Sequence, residues 1–154
     1  MPLHVVLVEP EIPQNTGNIA RTCAATGTIL HLIHPLGFSL SEKHLKRAGL
    51  DYWEEVTIEE HRSWEAFCQA YPQANCYYLS TKGRRFYTDL RYQEGDFLVF
   101  GPETRGLPAK ILDREWDRVL RIPMRPGLRS LNLANSVALV LYEALRQLGF
   151  PGLI

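Results

Sequence analysis

The amino-acid sequence predicts a single α/β domain over residues 1–154, in which helices flank a mainly parallel sheet. Two observations lead to this prediction. Short apolar segments alternate with amphipathic ones along the chain, as strands and helices do in α/β proteins. Residues 5–8, Val-Val-Leu-Val, are apolar at every position, as expected of a strand that is covered on both faces of a parallel sheet.

Five short segments rich in Val, Ile, Leu and aromatic residues, each closed by Pro, Gly or Ser, are predicted to be strands. They are residues 3–8, 29–34, 76–80, 97–101 and 119–122. Helices are predicted between them, at about residues 15–26, 41–48 and 63–70. Asn15 or Thr16 is expected to cap the first helix, and Gly27 to end it.

The last predicted helix, residues 130–148, begins at Ser130 as a potential N-cap and is apolar on nearly every side. A helix that is apolar all round must be buried. One face can cover the sheet, but the opposite face needs a partner, so we expect a homodimer. The alternative is a helix enclosed within one monomer, which a chain of this length could hardly surround.

Composition excludes several classes of protein. The apolar stretches are far shorter than the roughly 20 residues that span a bilayer, and the N-terminus has no export signal, so we expect a cytoplasmic protein without membrane contact. The three cysteines are widely spaced, which favours reduced thiols. The five histidines lack metal-ligand spacing, so no metal site is expected.

The formal net charge is zero, from 17 basic and 17 acidic residues, which argues against a nucleic-acid partner. Two local basic clusters weaken that argument. Residues 82–91 contain four basic side chains and one acid, and residues 118–129 contain four basic side chains and no acid. Such clusters either bind a phosphate backbone or are solvated loop charges.

Three segments carry functional-looking residues where strands end. In the first, residues 9–22, Asn18 and Arg21 are three apart and share a helix face. An arginine near the positive start of a helix is unfavourable unless it meets an anion such as phosphate. The second segment, residues 98–108, has two glycines, two prolines and Glu103, and such a loop allows close approach to a flat ligand. In the third, residues 122–135, two asparagines begin an apolar helix, which is costly unless they are hydrogen-bonded.

These three segments, in this order, resemble the SPOUT class of knotted RNA methyltransferases, and the likeness covers almost the whole chain. The Asn-x-x-Arg, Gly-Pro-Glu-x-x-Gly and Ser-x-Asn motifs of that class match residues 18–21, 101–106 and 130–132. Three segments are similar to the small stand-alone TrmL (YibK) group, namely residues 10–18, 48–52 and 80–83.

The resemblance implies a C-terminal trefoil knot that holds S-adenosylmethionine. By matching position, the cofactor would contact Leu79, Gly101, Glu103, Gly106, Ile122, Met124, Ser130 and Leu131. The residues that would surround the reacting ribose are Arg21, Asn18, Lys82, Ser130, Asn132 and Asn135. The resemblance also implies the substrate, which is the ribose of the wobble nucleotide, cytidine or uridine 34, in the anticodon loop of tRNA, with leucine tRNAs expected.

The implied reaction is methyl transfer from a sulfonium to a ribose 2′-hydroxyl. The donor is already activated, so the protein must position two groups and allow a proton to leave. The matching motifs contain no histidine or cysteine, and arginine, with a pKa above about 12, is a poor base. We therefore expect Arg21 to polarise the hydroxyl or hold the adjacent phosphate.

Two alternatives remain at this point. One is a 2′-O-methyltransferase that acts on ribosomal RNA, and the other is an RNA- or nucleotide-binding module without turnover. Loss of Arg21 or Asn132 would favour the binding module, and both residues are present.

Overall fold

Seven parallel strands form one sheet in the order β3-β2-β1-β6-β4-β7-β5. The structure is a computed structural model that describes residues 1–41, 43, 45, 47 and 50–154. The strands are β1 His4–Val8, β2 Ile29–Ile33, β3 Ile58–His61, β4 Cys76–Leu79, β5 Arg85–Phe86, β6 Phe97–Phe100 and β7 Val119–Arg121.

All five predicted strands are confirmed to within two residues at each end, and the parallel sheet is confirmed. The sequence analysis missed β3 and β5, which are the two edge strands. The sequence of β3 is Ile-Glu-Glu-His and that of β5 is Arg-Phe, so neither has the apolar run of a strand that is covered on both faces.

Four helices accompany the sheet among the described residues: α1 Pro13–Thr26, α2 Trp64–Ala70, α3 Ala109–Arg114 and α4 Leu133–Gln147. Two 3₁₀ turns span Leu50–Glu55 and Trp116–Arg118. The prediction for α2 is confirmed, and Ser63 caps it by accepting a hydrogen bond from the backbone N–H of Ala66 at 3.0 Å. The sequence analysis missed the short α3. The helix predicted over residues 41–48 and the matching segment 48–52 include positions 42, 44, 46, 48 and 49, which lie outside the described residues.

The two faces of the sheet are buried against different helices. Val5 and Leu7 pack on one side in a cluster that includes residues of α1 and α4. Val6 and Val8 pack on the other side in a cluster that includes residues of α2 and α3. A fully buried Val or Leu side chain contributes roughly 1.5–3 kcal/mol relative to an exposed one. This two-sided burial is why β1 is apolar at four consecutive positions.

The predicted caps of two helices are wrong. Helix α1 begins at Pro13, two residues earlier than expected, so Asn15 and Thr16 lie inside its first turn. Helix α4 begins after Asn132, whose side-chain oxygen accepts the backbone N–H of Asn135 at 3.2 Å. Ser130 lies in the loop before it. Because Asn132 supplies the cap, the Ser-x-Asn segment lies before the helix, where all three of its residues line a cavity.

Helix α4 is buried on one face only. Its buried residues include Val137, Val140, Leu141 and Ala144, whereas Leu139 and Tyr142 are 43% and 44% exposed. The helix is therefore not enclosed within the monomer. In the part of the chain that the structure describes, no helix is long and apolar enough to cross a membrane.

Candidate active site

A cavity of about 470 Å³ lies at the carboxyl ends of β1, β4, β6 and β7. In parallel α/β sheets this edge is where ligands bind. Four loops surround the cavity, and each follows one of these strands. The lining residues that these loops contribute lie within residues 12–15 after β1, 80–82 after β4, 101–107 after β6 and 122–133 after β7. The last of these ranges reaches Leu133, the first residue of α4. The volume is within the usual range for a small-molecule site, about 300–1,000 Å³.

Glu103 closes the start of α1. Its carboxylate accepts hydrogen bonds from the backbone N–H groups of Glu11 at 2.8 Å and Ile12 at 2.9 Å, and from the side-chain amide of Asn15 at 3.2 Å. The N-cap position, Ile12, has no side chain that could do this. A carboxylate near the positive end of a helix is also favourable electrostatically. Glu103 therefore orients the loop between β1 and α1.

Glu11 makes the reciprocal contact. Its Oε1 accepts both the backbone N–H and the hydroxyl of Thr104 at 2.8 Å. The hydrogen bond from the Thr104 backbone, followed by the one from its hydroxyl, lowers the pKa of Glu11. The two loops thus hold each other through two carboxylates, and Arg105 adds an exposed ion pair to Glu9 at 3.5 Å.

A chain of side-chain amides joins these loops to α4. Asn132 Nδ2 donates to Asn15 Oδ1 at 3.1 Å, and Asn15 Nδ2 donates to Glu103 Oε2 at 3.2 Å. The expectation that the asparagine at the start of α4 needs hydrogen-bonded partners is confirmed for Asn132. Because Asn15 is buried, its two partners fix the orientation of its amide.

Gly101 has a steric role. A Cβ atom at this position would lie 2.3 Å from the Leu107 nitrogen and 2.4 Å from the Gly106 carbonyl carbon. The loop of residues 101–107 therefore folds back on its own backbone, with Gly106 at a φ of +68°. A close approach at Gly101 was expected, and the structure shows that the approaching group is protein backbone.

Ten of the thirteen residues predicted for the site line this one cavity. They are Leu79, Lys82, Gly101, Glu103, Gly106, Ile122, Met124, Ser130, Leu131 and Asn132. Asn18, Arg21 and Asn135 do not line it within one chain. Asn18 and Arg21 are both exposed on α1, as their spacing predicted.

The predicted position of Arg21 near the start of a helix is wrong. Because α1 begins at Pro13, Arg21 is the ninth of its 14 residues, so the electrostatic argument from the helix start does not apply. Its guanidinium carbon lies 4.8 Å from the ring centroid of Tyr52, which is a cation–π distance. Tyr52 therefore packs against one side of the Arg21 guanidinium, and the other side of this exposed cation is available to a partner.

The two basic clusters are only partly available for binding. Arg118 is half-buried, donates to Asn75 Oδ1 and stacks over Tyr77, so it is a structural residue. Arg129 donates to the Thr104 carbonyl at 3.0 Å and lines the cavity, as Lys82 does. Arg84 stacks over Trp116 at 5.7 Å. Of the two clusters, Lys82 and Arg129 thus line the cavity, where the loop after β6 adds Arg105.

Sequence reasoning missed several polar residues of the cavity: Asn15, Ser80, Thr81, Thr104, Arg105, Arg129 and Ser136. Asn15 and Thr104 are neighbours of the recognised motifs, so adjacency alone could have indicated them. Among the described lining residues there is no histidine or cysteine. The site therefore suits positioning and electrostatic stabilisation more than strong acid–base chemistry.

The model of a protein family described as "SpoU rRNA Methylase family" matches residues 2–142. The tRNA (cytidine(34)-2′-O)-methyltransferase of Saccharophagus degradans (strain 2-40) is 55% identical over 150 residues, which cover 97% of this chain and 97% of that protein.

Two solved structures are also similar. One, from work on the 2-OH methylation of C/U34 on tRNA, has a TM-score of 0.92 and 53% identity, and covers 96% of each chain. The other is an AdoMet-bound rRNA methyltransferase from Sinorhizobium meliloti, with a TM-score of 0.84 and 28% identity. It covers 96% of this chain and 57% of that one.

Proposed function

This chain belongs to the SpoU rRNA methylase family, and we propose that it transfers a methyl group from S-adenosylmethionine to the 2′-hydroxyl of nucleotide 34, cytidine or uridine, in tRNA. The observation that carries the proposal is the convergence of the glycine-rich loop, the Ser130–Asn132 segment and Lys82 on one cavity. The relatives that match the chain over nearly its full length carry this activity in their names.

The cavity fits the cofactor in size and chemistry. Leu79, Ile122 and Leu131 supply apolar walls for a flat base, and the folded-back loop at Gly101 brings main-chain groups to the cavity wall. A similar protein, at 28% identity, is described as AdoMet-bound. When bound, S-adenosylmethionine supplies an activated methyl group on a positively charged sulfur.

The chain's own residues position the acceptor. In the reaction a carbon–sulfur bond breaks, a carbon–oxygen bond forms and the 2′-hydroxyl proton leaves. Lys82 and Asn132 reach the cavity and can orient the ribose and its phosphate. Since the described lining residues include no histidine or cysteine, we assign the rate acceleration to orientation and electrostatics, with proton loss late.

Arg21 reaches the site from a second copy of the chain. In one chain it lies outside the cavity, on the exposed face of α1. Helix α1 packs against α4, whose Leu139 and Tyr142 are exposed. A homodimer through these two helices would cover the apolar residues and bring Arg21, with Asn18 and Asn135, to the partner's cavity.

Subunit mixing tests this arrangement. Arg21→Ala and Asn132→Ala are each expected to be nearly inactive alone. A mixed dimer has one cavity with an intact Asn132 that receives Arg21 from the other subunit, so mixing and re-equilibration should restore activity. If Arg21 acts within its own chain, both sites of the mixed dimer stay defective and mixing restores nothing.

The acceptor is tested with a tRNA that carries a single 2′-deoxy substitution at position 34. It should bind nearly as well as unmodified tRNA but accept no methyl group, and binding of both should weaken steeply with salt. The matched control carries the 2′-deoxy substitution at a neighbouring anticodon-loop nucleotide and should be methylated. Undiminished methylation of the tRNA substituted at position 34 would exclude this ribose.

Leucine isoacceptors, the C-terminal trefoil knot and a cytoplasmic location remain predictions that accompany this proposal. Location in a reducing compartment agrees with the three cysteines, all of which are free. The two alternatives are disfavoured. The rRNA methyltransferase comparison reaches only 28% identity. A module that only binds would not require Lys82 and the polar side chains of the Gly101–Gly106 and Ser130–Asn132 motifs at one cavity.

A further inference from the structure

Three histidines on adjacent strands form a hydrogen-bonded row on the sheet face opposite α1. His4 Nδ1 lies 2.8 Å from His31 Nε2, and His31 Nδ1 lies 2.9 Å from His61 Nε2. The row crosses β1, β2 and β3 beneath α2, where Tyr71 contacts the His31 ring edge-on, with centroids 5.2 Å apart. None of these residues lines the cofactor cavity.

A carboxylate completes the group. The parallel register places Glu59 opposite His31, and Glu59 Oε1 lies 4.0 Å from His31 Nδ1. Donor atoms of His31, Glu59 and His61 all lie within 4.8 Å of one another. His31 is fully buried, whereas the Glu59 side chain is 37% exposed, so the group opens to solvent at the edge strand β3.

We propose that His31, Glu59 and His61 bind a divalent metal ion of the zinc class. A tetrahedral site with bonds of about 2.0–2.1 Å separates its ligand atoms by about 3.3 Å. The present separations of 2.9 and 4.0 Å lie on either side of that value. All three donor atoms lie within 4.8 Å of one another, so rotations of these side chains would bring them to the required spacing. Two imidazoles, a carboxylate and one solvent position are a donor set that such ions accept.

The neighbouring groups fit the requirements of the ligands. If His31 Nδ1 binds the metal, the proton of the imidazole is on His31 Nε2, which donates a hydrogen bond to His4 Nδ1. This hydrogen bond fixes the tautomer and the orientation of the His31 ring. Tyr71 donates its hydroxyl to Glu59 Oε1 at 2.5 Å and orients the carboxylate.

The metal would join the edge strand β3 to β2. The ion would lie apart from the proposed methyl transfer, because the three ligands are on the side of the sheet away from the residues of α1 and α4 and outside the cofactor cavity. The expectation of no metal site rested on sequence spacing. His31 and Glu59 are far apart in the chain, and only the register of the two strands makes them neighbours.

The test uses the full-length chain without an affinity tag, stripped with chelator and dialysed. Zn²⁺ is titrated by calorimetry and Co²⁺ by visible absorption. We expect one ion per chain, a higher melting temperature, and cobalt bands of tetrahedral nitrogen–oxygen ligation without a thiolate charge-transfer band. Glu59→Gln and His61→Asn should each abolish stoichiometric binding.

A matched control lies on the same two segments. His34 and Glu60 form an exposed ion pair at 2.8 Å, and the His34→Asn, Glu60→Gln double variant should bind both ions as the wild type does. Circular dichroism and methyl transfer report on folding, and if His61→Asn misfolds, the more exposed Glu59→Gln decides. No stoichiometric binding by the wild type, unchanged binding by Glu59→Gln, or a thiolate band would overturn the proposal.

Discussion

The side-chain amide of Asn132 donates a hydrogen bond to the side-chain oxygen of Asn15 at 3.1 Å, across 117 residues of sequence. Asn15 passes the connection on to Glu103, which accepts the backbone N–H groups before α1. A continuous series of side-chain hydrogen bonds therefore joins the segments that follow β1, β6 and β7. The shape of the cavity depends on it, because all three residues also line the cavity wall.

Glu103→Gln should lower the free energy of unfolding by about 1–2 kcal/mol, since it removes a charge that accepts three hydrogen bonds at the start of a helix. Urea denaturation measures the change. Glu94→Gln is the control, because Glu94 is exposed and its ion pair to the N-terminus is 3.9 Å long. An equal loss of unfolding free energy in both variants would show that the hydrogen bonds of Glu103 to the start of α1 have no special role in stability.

Arg21→Ala should reduce turnover by at least about tenfold, because an oriented polar contact made in the transition state is worth a few kcal/mol. Cofactor affinity should change little, because we assign Arg21 to the reacting ribose and its phosphate and not to the cofactor. Single-turnover methylation and calorimetry measure the two quantities. Arg62→Ala, an exposed arginine just beyond β3, is the control. If cofactor binding is lost instead, the role given to Arg21 is wrong.

S-adenosylmethionine, or its demethylated product, should bind one per chain and raise the melting temperature by mass action. NAD should do neither, because no Gly-x-Gly-x-x-Gly sequence follows a strand. Gly101→Ala should weaken cofactor binding at least about tenfold, since an added Cβ would collide with backbone 2.3 Å away and displace the loop. Unchanged affinity in this variant would remove the loop from the cofactor site.

Light scattering at micromolar concentration should give a mass near twice 17.6 kDa. Leu139→Lys should shift the chain toward monomer, because it puts a charge on the exposed apolar face of α4. Leu128→Lys is the matched control, since Leu128 is 66% exposed but lies in the loop before α4. A wild-type monomer with full turnover would contradict the homodimer.

Iodoacetamide should alkylate Cys68 in the native protein and leave Cys23 and Cys76 unmodified. Cys68 is exposed, whereas Cys23 and Cys76 are buried and closed to the reagent. Partial burial also raises the pKa of Cys68, and burial raises the pKa of Cys23 and that of Cys76, the latter to about 12. Intact mass and peptide mapping identify the modified site. The same reaction in urea, where all three thiols should react, is the control. Early labelling of Cys23 without urea would show that the apolar core between α1 and the sheet opens transiently in the native protein.

Local patterns were sufficient for the central strands and for most of the site. Strands such as β1 and β6 are covered on both faces, so their burial is visible as a continuous apolar run. Most predicted site residues follow such strands, and the carboxyl ends of parallel strands meet at one edge. The local patterns indicated the three segments, and the resemblance to the SPOUT class supplied the individual residues, ten of which line one cavity.

The sequence by itself determined the α/β class, the central strands and the three loops of the site, because these features depend on local apolar runs and turn residues. Only the tertiary structure decided the cap of α4, the chain of contacts from Asn132 to Glu103, and the meeting of His31 with Glu59. The cap is a local choice between two possible capping residues, Ser130 and Asn132, whereas the other two depend on which strands are neighbours and in which register. Contacts between residues 28 to 117 positions apart leave no periodic trace in a single sequence.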